Sequence, residues 1–183
     1  MEGRPGRGKT FLINALCTAL RAQEHIVLIV GTSALSAISF ERGRTAHYMF
    51  GIPVTENHVN VCSNIHPFSP RADLIRKASA IIWDELPMAN KADIECVHEL
   101  CCIITRRFNL PFGGKTLIGT GDFRQVAPVV YGAGEFASLA ASVKSSHLWP
   151  SFQIFMLSTS IRGINDPGYT AFVDRIGEHC SPD

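Results

Sequence analysis

The sequence carries almost no net charge: 17 basic residues against 16 acidic ones leave +1 at neutral pH. The basic excess that marks many nucleic-acid binders is missing, so charge alone suggests no DNA partner. Long apolar runs are missing as well. Stretches such as "IVLIV" (Ile26 to Val30) have the length of a strand and fall far short of a membrane span, so no membrane association is expected. No basic-then-apolar leader precedes them, and the expected location is the nucleus in a eukaryote or the cytoplasm otherwise, without secretion. The six cysteines (Cys17, Cys62, Cys96, Cys101, Cys102 and Cys180) form no C-x-x-C pair, and two of them are adjacent. That excludes an ordinary disulfide framework and favours reduced thiols packed as small hydrophobes. His98 stands at helical spacing from Cys101 and Cys102, but without a second ligand pair a core role outweighs a metal site.

What is present reads as one packed domain. The 183 residues are 46% hydrophobic and 18% charged, which suits a globule that needs no disulfide or metal to hold it. Strand and helix patterns alternate. "TFLINALCTAL" (Thr10 to Leu20) is helical, "HIVLIVGT" is a strand buried on both faces, and Ser33 to Phe40 makes a short helix. The stretch from His58 to Pro70 reads as an exposed excursion, "ADLIRKAS" as a helix, and "AIIWDE" as a second buried strand ending in carboxylates. A long helix follows over Asn90 to Phe108, then strands over Gly113 to Asp122 and Phe152 to Ser158. The pattern predicts an α/β fold, a mostly parallel sheet with helices on both faces and functional residues beyond the strands' carboxyl ends.

Chemistry concentrates at those ends. "GRPGRGKT" fits G-x-x-x-x-G-K-[ST] through Gly3, Gly8, Lys9 and Thr10. Glycines let backbone N–H groups wrap phosphates, and the helix that follows turns its positive dipole end toward them. Lys9 would neutralise the β- and γ-phosphates of ATP, and the Thr10 hydroxyl would ligate Mg²⁺. "IIWDE" supplies Asp84 to hold the metal and Glu85 to polarise an attacking water. In "GTGDFRQVAPV", Gln125 is placed to sense the γ-phosphate, with Asp122 and Arg124 pairing locally as the plainer reading. Arg162, after the last strand, could reach the same phosphate.

The ordered set GRPGRGKT, "GTSALSAISFERGRTAHYMFGIP", "IIWDELPM", "GGKTLIGTGDFRQVAPVV", "SSHLWPSF" and "LSTSIR" resembles the PIF (petite integration frequency) helicases, in particular their Helitron-associated branch. The resemblance runs from Gly3 to about Arg162. It implies a RecA-like P-loop NTPase fold and an ATP-dependent, superfamily-one motor that moves 5′-to-3′ on single-stranded DNA. It also implies the family's work in DNA repair, recombination, telomere maintenance or transposon replication. Its phosphate loop falls on Gly3, Gly6, Arg7, Gly8, Lys9 and Thr10, its metal site on Thr10 and Asp84, and its catalytic groups on Lys9, Glu85, Gln125 and Arg162. Its DNA-touching segments fall on Thr32, Ser33, Thr45, His47 and Phe50; the hydroxyls suit phosphates, and the His47 and Phe50 rings either suit bases or anchor the loop into the core. Three positions depart from the family pattern: Arg7 in the loop, Ala34 where glycine is common, and Leu86 after the acidic pair.

The resemblance also sets two expectations about extent. Residues 1–163 match a first motor domain, and 164–183 lead toward a second one that the sequence does not contain. Upstream, only Met1 and Glu2 remain of the central strand that normally presents the loop. The chain is thus expected to be a fragment lacking its first strand; the alternative is an inactive remnant that at most binds nucleotide or nucleic acid.

Overall fold

The two unbroken apolar runs become the two fully buried strands of a parallel sheet. In the computed structural model, which describes residues 1–55, 61–124, 128 and 135–176, the chain begins with strand β1 (Glu2–Gly3) and helix α1 (Lys9–Ala22). Next come β2 (Val27–Gly31), α2 (Ala34–Ile38), β3 (Arg44–Thr45), α3 (Ala46–Phe50), α4 (Pro70–Lys77) and β4 (Ala80–Asp84). The rest comprises α5 (Lys91–Thr105), β5 (Thr116–Gly119), α6 (Glu135–Ala141), β6 (Met156–Leu157) and α7 (Pro167–Ile176). Four strands lie in the order β3-β2-β4-β5, and β1 pairs with β6 in a second, short ladder. All these pairings are parallel.

Every residue of β2 and β4 is buried, which is why neither alternates with polar residues. Side chains of period two then divide the core. Val30, Ile81 and Trp83 face one layer with Phe50, Ile94 and Val97, while Ile29 and Ile82 face Ile13, Cys17 and Phe40 on the α1 side. Each such aliphatic or aromatic side chain contributes ~1.5–3 kcal/mol on burial. The register ends with Gly31 opposite Asp84, and this sets the carboxylate beside the turn that leaves β2.

Helix α5 starts where Asn90 accepts a hydrogen bond from the Ala92 amide at 3.0 Å, and it buries Ile94, Val97, Leu100, Cys101 and Ile104 at helical spacing. Burial pushes the Cys96 and Cys101 thiols up to about 12, so they are packing groups and poor nucleophiles. His98 Nδ1 accepts a bond from the Phe112 amide at 2.9 Å, fixing the turn before β5. Cys62 is exposed, and Cys180 lies outside the described residues.

Several expectations change in extent. The first strand is a two-residue stub: Glu2 bridges to Gly121, and the Met1 ammonium donates to the Gly119 carbonyl at 2.6 Å, so β1 sits between the β5 line and β6. The strand expected over Phe152 to Ser158 contracts to Met156–Leu157, because β1 offers only two residues to pair with. Below the stub, a cavity of about 470 Å³ opens between Thr116–Gly119 and residues 152–155. The excursion after α3 is partly packed: Ser63 Oγ donates to the Phe50 carbonyl at 2.6 Å and Val61 is buried. Helix α6, which no sequence pattern had suggested, follows the glycine-rich segment after β5.

Candidate active site

The phosphate loop joins the stub to α1 through two glycines in the left-handed region, Gly6 at φ 75° and Gly8 at φ 82°. Side chains rarely adopt that conformation, and Gly8 leads directly into the first turn of α1. The helix therefore aims its free N–H groups into the loop. Lys9 Nζ donates to the carbonyls of Gly3 at 2.7 Å and Arg4 at 3.3 Å, which holds the ammonium inside the loop.

A cavity of about 470 Å³ is bordered by Gly6, Gly8, Lys9, Thr10, Glu85 and Arg162. Residues spread over most of the chain thus meet at one place. The Arg162 segment is tied there by backbone bonds: the amides of Ile161 and Arg162 both donate to the Gly6 carbonyl, at 2.9 and 3.1 Å. The packing is close, since a Cβ on Gly6 would lie 2.9 Å from the Arg162 Cβ.

Arg7 reaches α7 as well. Its side chain is 10% exposed, pairs with Asp174 at 2.6 Å and also donates to the Ser158 carbonyl. Arg4 binds the other oxygen of Asp174 at 2.7 Å. The Arg4 hydrogen bond, reinforced by Arg7, holds the Asp174 carboxyl below its ordinary range. Arg7, expected in the phosphate loop, borders the same cavity, and its guanidinium also fastens the loop to α7. Residues 164–176 accordingly fold back onto the site.

Asp84 is 8% exposed and accepts a bond from the Thr120 hydroxyl at 2.6 Å through one carboxylate oxygen. A carboxylate buried to this extent needs such donors or a cation. Glu85 follows in a left-handed conformation at φ 53° and reaches the cavity that Lys9 borders. Burial raises the Glu85 pKa, the charges of Asp84 and Asp122 add to the rise, and Lys9 partly offsets it. A carboxyl group raised toward neutrality is suited to taking a proton from water. Asp122 pairs with Arg124 at 3.1 Å, as the plainer reading of that motif had it, and Gln125 lies outside the described residues.

Four of the five positions expected at DNA make structural contacts. Thr32 Oγ1 donates to the Glu85 carbonyl at 2.8 Å and accepts from the Trp83 indole at 3.0 Å, bracing the acidic pair. Ser33 caps α2 by accepting from the Ser36 amide at 3.1 Å, and Thr45 caps α3 by accepting from the Tyr48 amide at 3.2 Å. His47 is half-buried. Phe50 is fully buried and stacks on Trp83 with ring centroids 6.3 Å apart, so its faces are turned to the core. Ala34 begins α2 without a positive φ, and alanine suits that backbone. Sequence reasoning missed Thr120, Arg4 and Asp174. Of these only Thr120, at the end of an apolar strand beside the "GD" motif, carried a readable signal.

Comparison with known proteins bears on the family and the fold. The family profile of PIF1-like helicases matches residues 1–175. Similar proteins include "ATP-dependent DNA helicase PIF4" of Trypanosoma brucei brucei, 29% identical over 68% of this chain and 16% of that protein. Another is "ATP-dependent DNA helicase Pif1" of Bdellovibrio bacteriovorus, 29% identical over 72% of this chain and 29% of that protein. The fold superposes on the Pif1 helicase of Candida albicans with a TM-score of 0.82 and 23% identity, over 100% of this chain and 41% of that one. It matches Bacteroides Pif1 in complex with ADP-AlF3 and single-stranded DNA with a TM-score of 0.82 and 21% identity, over 97% and 42%. The chain thus spans less than a third of these curated relatives and about two-fifths of these solved structures. The chain belongs to the PIF1-like helicase family.

Proposed function

We propose that residues 1–163 form the first motor domain of an ATP-dependent DNA helicase that moves 5′-to-3′ along single-stranded DNA, with 164–183 leading toward a second domain. The observation that carries the reading is the convergence of Lys9, Thr10, Glu85 and Arg162 on one cavity, at the carboxyl end of the sheet where Asp84 is buried. The left-handed glycines leave space for phosphate against backbone N–H groups, and the Lys9 ammonium already lies among oxygen acceptors that a phosphate would replace. Asp84, held through one oxygen by Thr120, and the Thr10 hydroxyl would hold Mg²⁺, a hard cation that prefers such ligands. When bound, the ion neutralises phosphate charge. Glu85 orients and deprotonates water, and Arg162 reaches the γ-phosphate; the same place in the motif gives Gln125 its role as sensor.

Single-stranded DNA as partner is supported by the family match and by the Bacteroides Pif1 structure that holds it. A second domain closing over the site would add a further arginine, a contribution of roughly 10³ to 10⁵ in rate in related phosphoryl-transfer systems. The test is ATP hydrolysis by this chain with and without oligothymidylate, using Lys9→Ala as control. Slow hydrolysis that DNA stimulates and Lys9→Ala abolishes is the expected result, without strand separation. Absence of any Lys9-dependent turnover would overturn the motor reading and establish the alternative, an inactive remnant.

A further inference from the structure

None of the described side chains of α7 is buried, and its Tyr169 and Phe172 are more than half exposed. The ties that these side chains make to the rest of the chain are polar. Thr170 Oγ1 donates to the Gly163 carbonyl at 3.2 Å, next to Arg162. Asp174, one turn further on, takes Arg4 on one carboxylate oxygen at 2.7 Å and Arg7 on the other at 2.6 Å. A helix held in this way belongs to the less stable part of a fold and undocks at small cost.

The Arg7 tie reaches the nucleotide site itself. Arg7 stands between Gly6 and Gly8 in the phosphate loop and borders the cavity together with Lys9, Thr10 and Arg162. Its guanidinium meets α7, with Nη2 on Asp174 and Nη1 donating to the Ser158 carbonyl. The planar fork of a guanidinium matches carboxylate and phosphate alike. A triphosphate in the cavity therefore competes with Asp174 for Arg7, and the charge of the carboxylate opposes the phosphates. Both effects have the same sign, so an anion in the loop disfavours Asp174 on Arg7 and the reverse.

We propose that α7 is a latch on the nucleotide site, with Asp174 as an internal anion that holds Arg7 until the phosphates of ATP draw it away. Nucleotide binding then frees α7 and the Gly163 end of the segment that carries Arg162. The proposal rests on the reading of the cavity as an ATP site. Linkage makes the relation reciprocal: the factor by which docked α7 weakens ATP binding is the factor by which ATP weakens docking.

The test is calorimetric titration of the full chain with ATP and Mg²⁺, beside Asp174→Asn, Arg7→Ala and the double variant, with amide exchange in α7 followed in parallel. Melting curves check that each variant is folded. Asp174→Asn keeps the shape of the side chain and removes its charge, and it is expected to bind ATP about fivefold more tightly, the low end of usual couplings. In the Arg7→Ala background the same change is expected to gain about twofold or less, because the residue that links Asp174 to the cavity is gone. Saturating ATP should speed exchange of the Phe172 and Asp174 amides in the wild type and leave the corresponding amides unchanged in Asp174→Asn, whose helix is already released. Equal affinity in wild type and Asp174→Asn, tighter binding by the wild type, or α7 exchange slowed by ATP would overturn the latch and leave the nucleotide site in place. A gain as large without Arg7 as with it would show a general field of the carboxylate and overturn the role of Arg7. Binding of ATP by Asp174→Asn with none by the wild type would support the latch in its strongest form. No binding by any of the four proteins would remove the ATP reading, and the latch with it.

Discussion

Replacing Thr120 by valine removes one hydroxyl and keeps the shape of the side chain. That hydroxyl donates to Asp84 at 2.6 Å in a place where Thr120 is 1% and Asp84 8% exposed, so water cannot readily substitute for it. A hydrogen bond to a charged group is worth about 1.5–3 kcal/mol. For a chain of this size, each kcal/mol moves the melting temperature by about 2–4 °C, so Thr120→Val should lower it by about 3–12 °C. In urea titration the midpoint should fall while the slope stays constant, as for a loss of stability without loss of compactness. The decisive comparison is the same substitution in an Asp84→Ala background, where no carboxylate remains to be stranded and the cost should shrink below about 0.5 kcal/mol. Equal costs in the two backgrounds, or a cost in the wild type below about 0.5 kcal/mol, would refute the claim that Thr120 stabilises the buried carboxylate. The functional side is a weaker response of nucleotide binding to Mg²⁺ in Thr120→Val, because one oxygen of Asp84 is no longer held in place.

Glu85 gives a pH signature. Its pKa in the folded chain is raised above the ordinary 4.5, chiefly by burial, so the folded state binds the proton more tightly than the unfolded state. Stability is greatest below that value and falls as pH rises from it through the raised one. Glu85→Gln should therefore be more stable than wild type at neutral pH, with the difference vanishing in acid melts below about pH 4.5, and it should lose ATP turnover. Gly6→Ala forces a side chain into φ 75° and against the Arg162 Cβ at 2.9 Å. It should cost about 1–2 kcal/mol in stability and weaken nucleotide binding, whereas Gly168→Ala, whose nearest new neighbour is the Asp166 carboxylate at 3.5 Å, should leave both intact. An extended apolar segment of four or five residues joined ahead of Met1 should enter the cavity beside β5 and slow amide exchange at Leu117 and Gly119. Unchanged exchange at those two amides would show that the cavity does not accept a strand.

How much of this was legible in the sequence differs by layer. The buried strands β2 and β4 were readable because unbroken apolar runs leave few alternatives in a chain of this length. Helices α1 and α5 were readable from their spacing. The last strand was overestimated because "FQIFMLS" has strand composition throughout, whereas pairing depends on what stands beside it, and β1 offers two residues. At the site, Lys9, Thr10, Glu85 and Arg162 border one cavity because the motifs sit at element ends that the parallel topology brings together. Arg7 and Phe50 show what residue type and spacing leave open. Both stand in the right segment, yet one side chain turns to Asp174 and the other to Trp83. Residue type placed them in the segments expected at ligand; packing decided the direction in which they point.

The most direct test of the central claim is calorimetric titration of this chain with ATP and Mg²⁺, beside Lys9→Ala. If the loop, the buried acid and Arg162 form a nucleotide site, the wild type should bind one ATP per chain in a Mg²⁺-dependent manner, and Lys9→Ala should bind at least tenfold more weakly. Equal affinity in the two proteins, or no binding by a folded wild type, would contradict it.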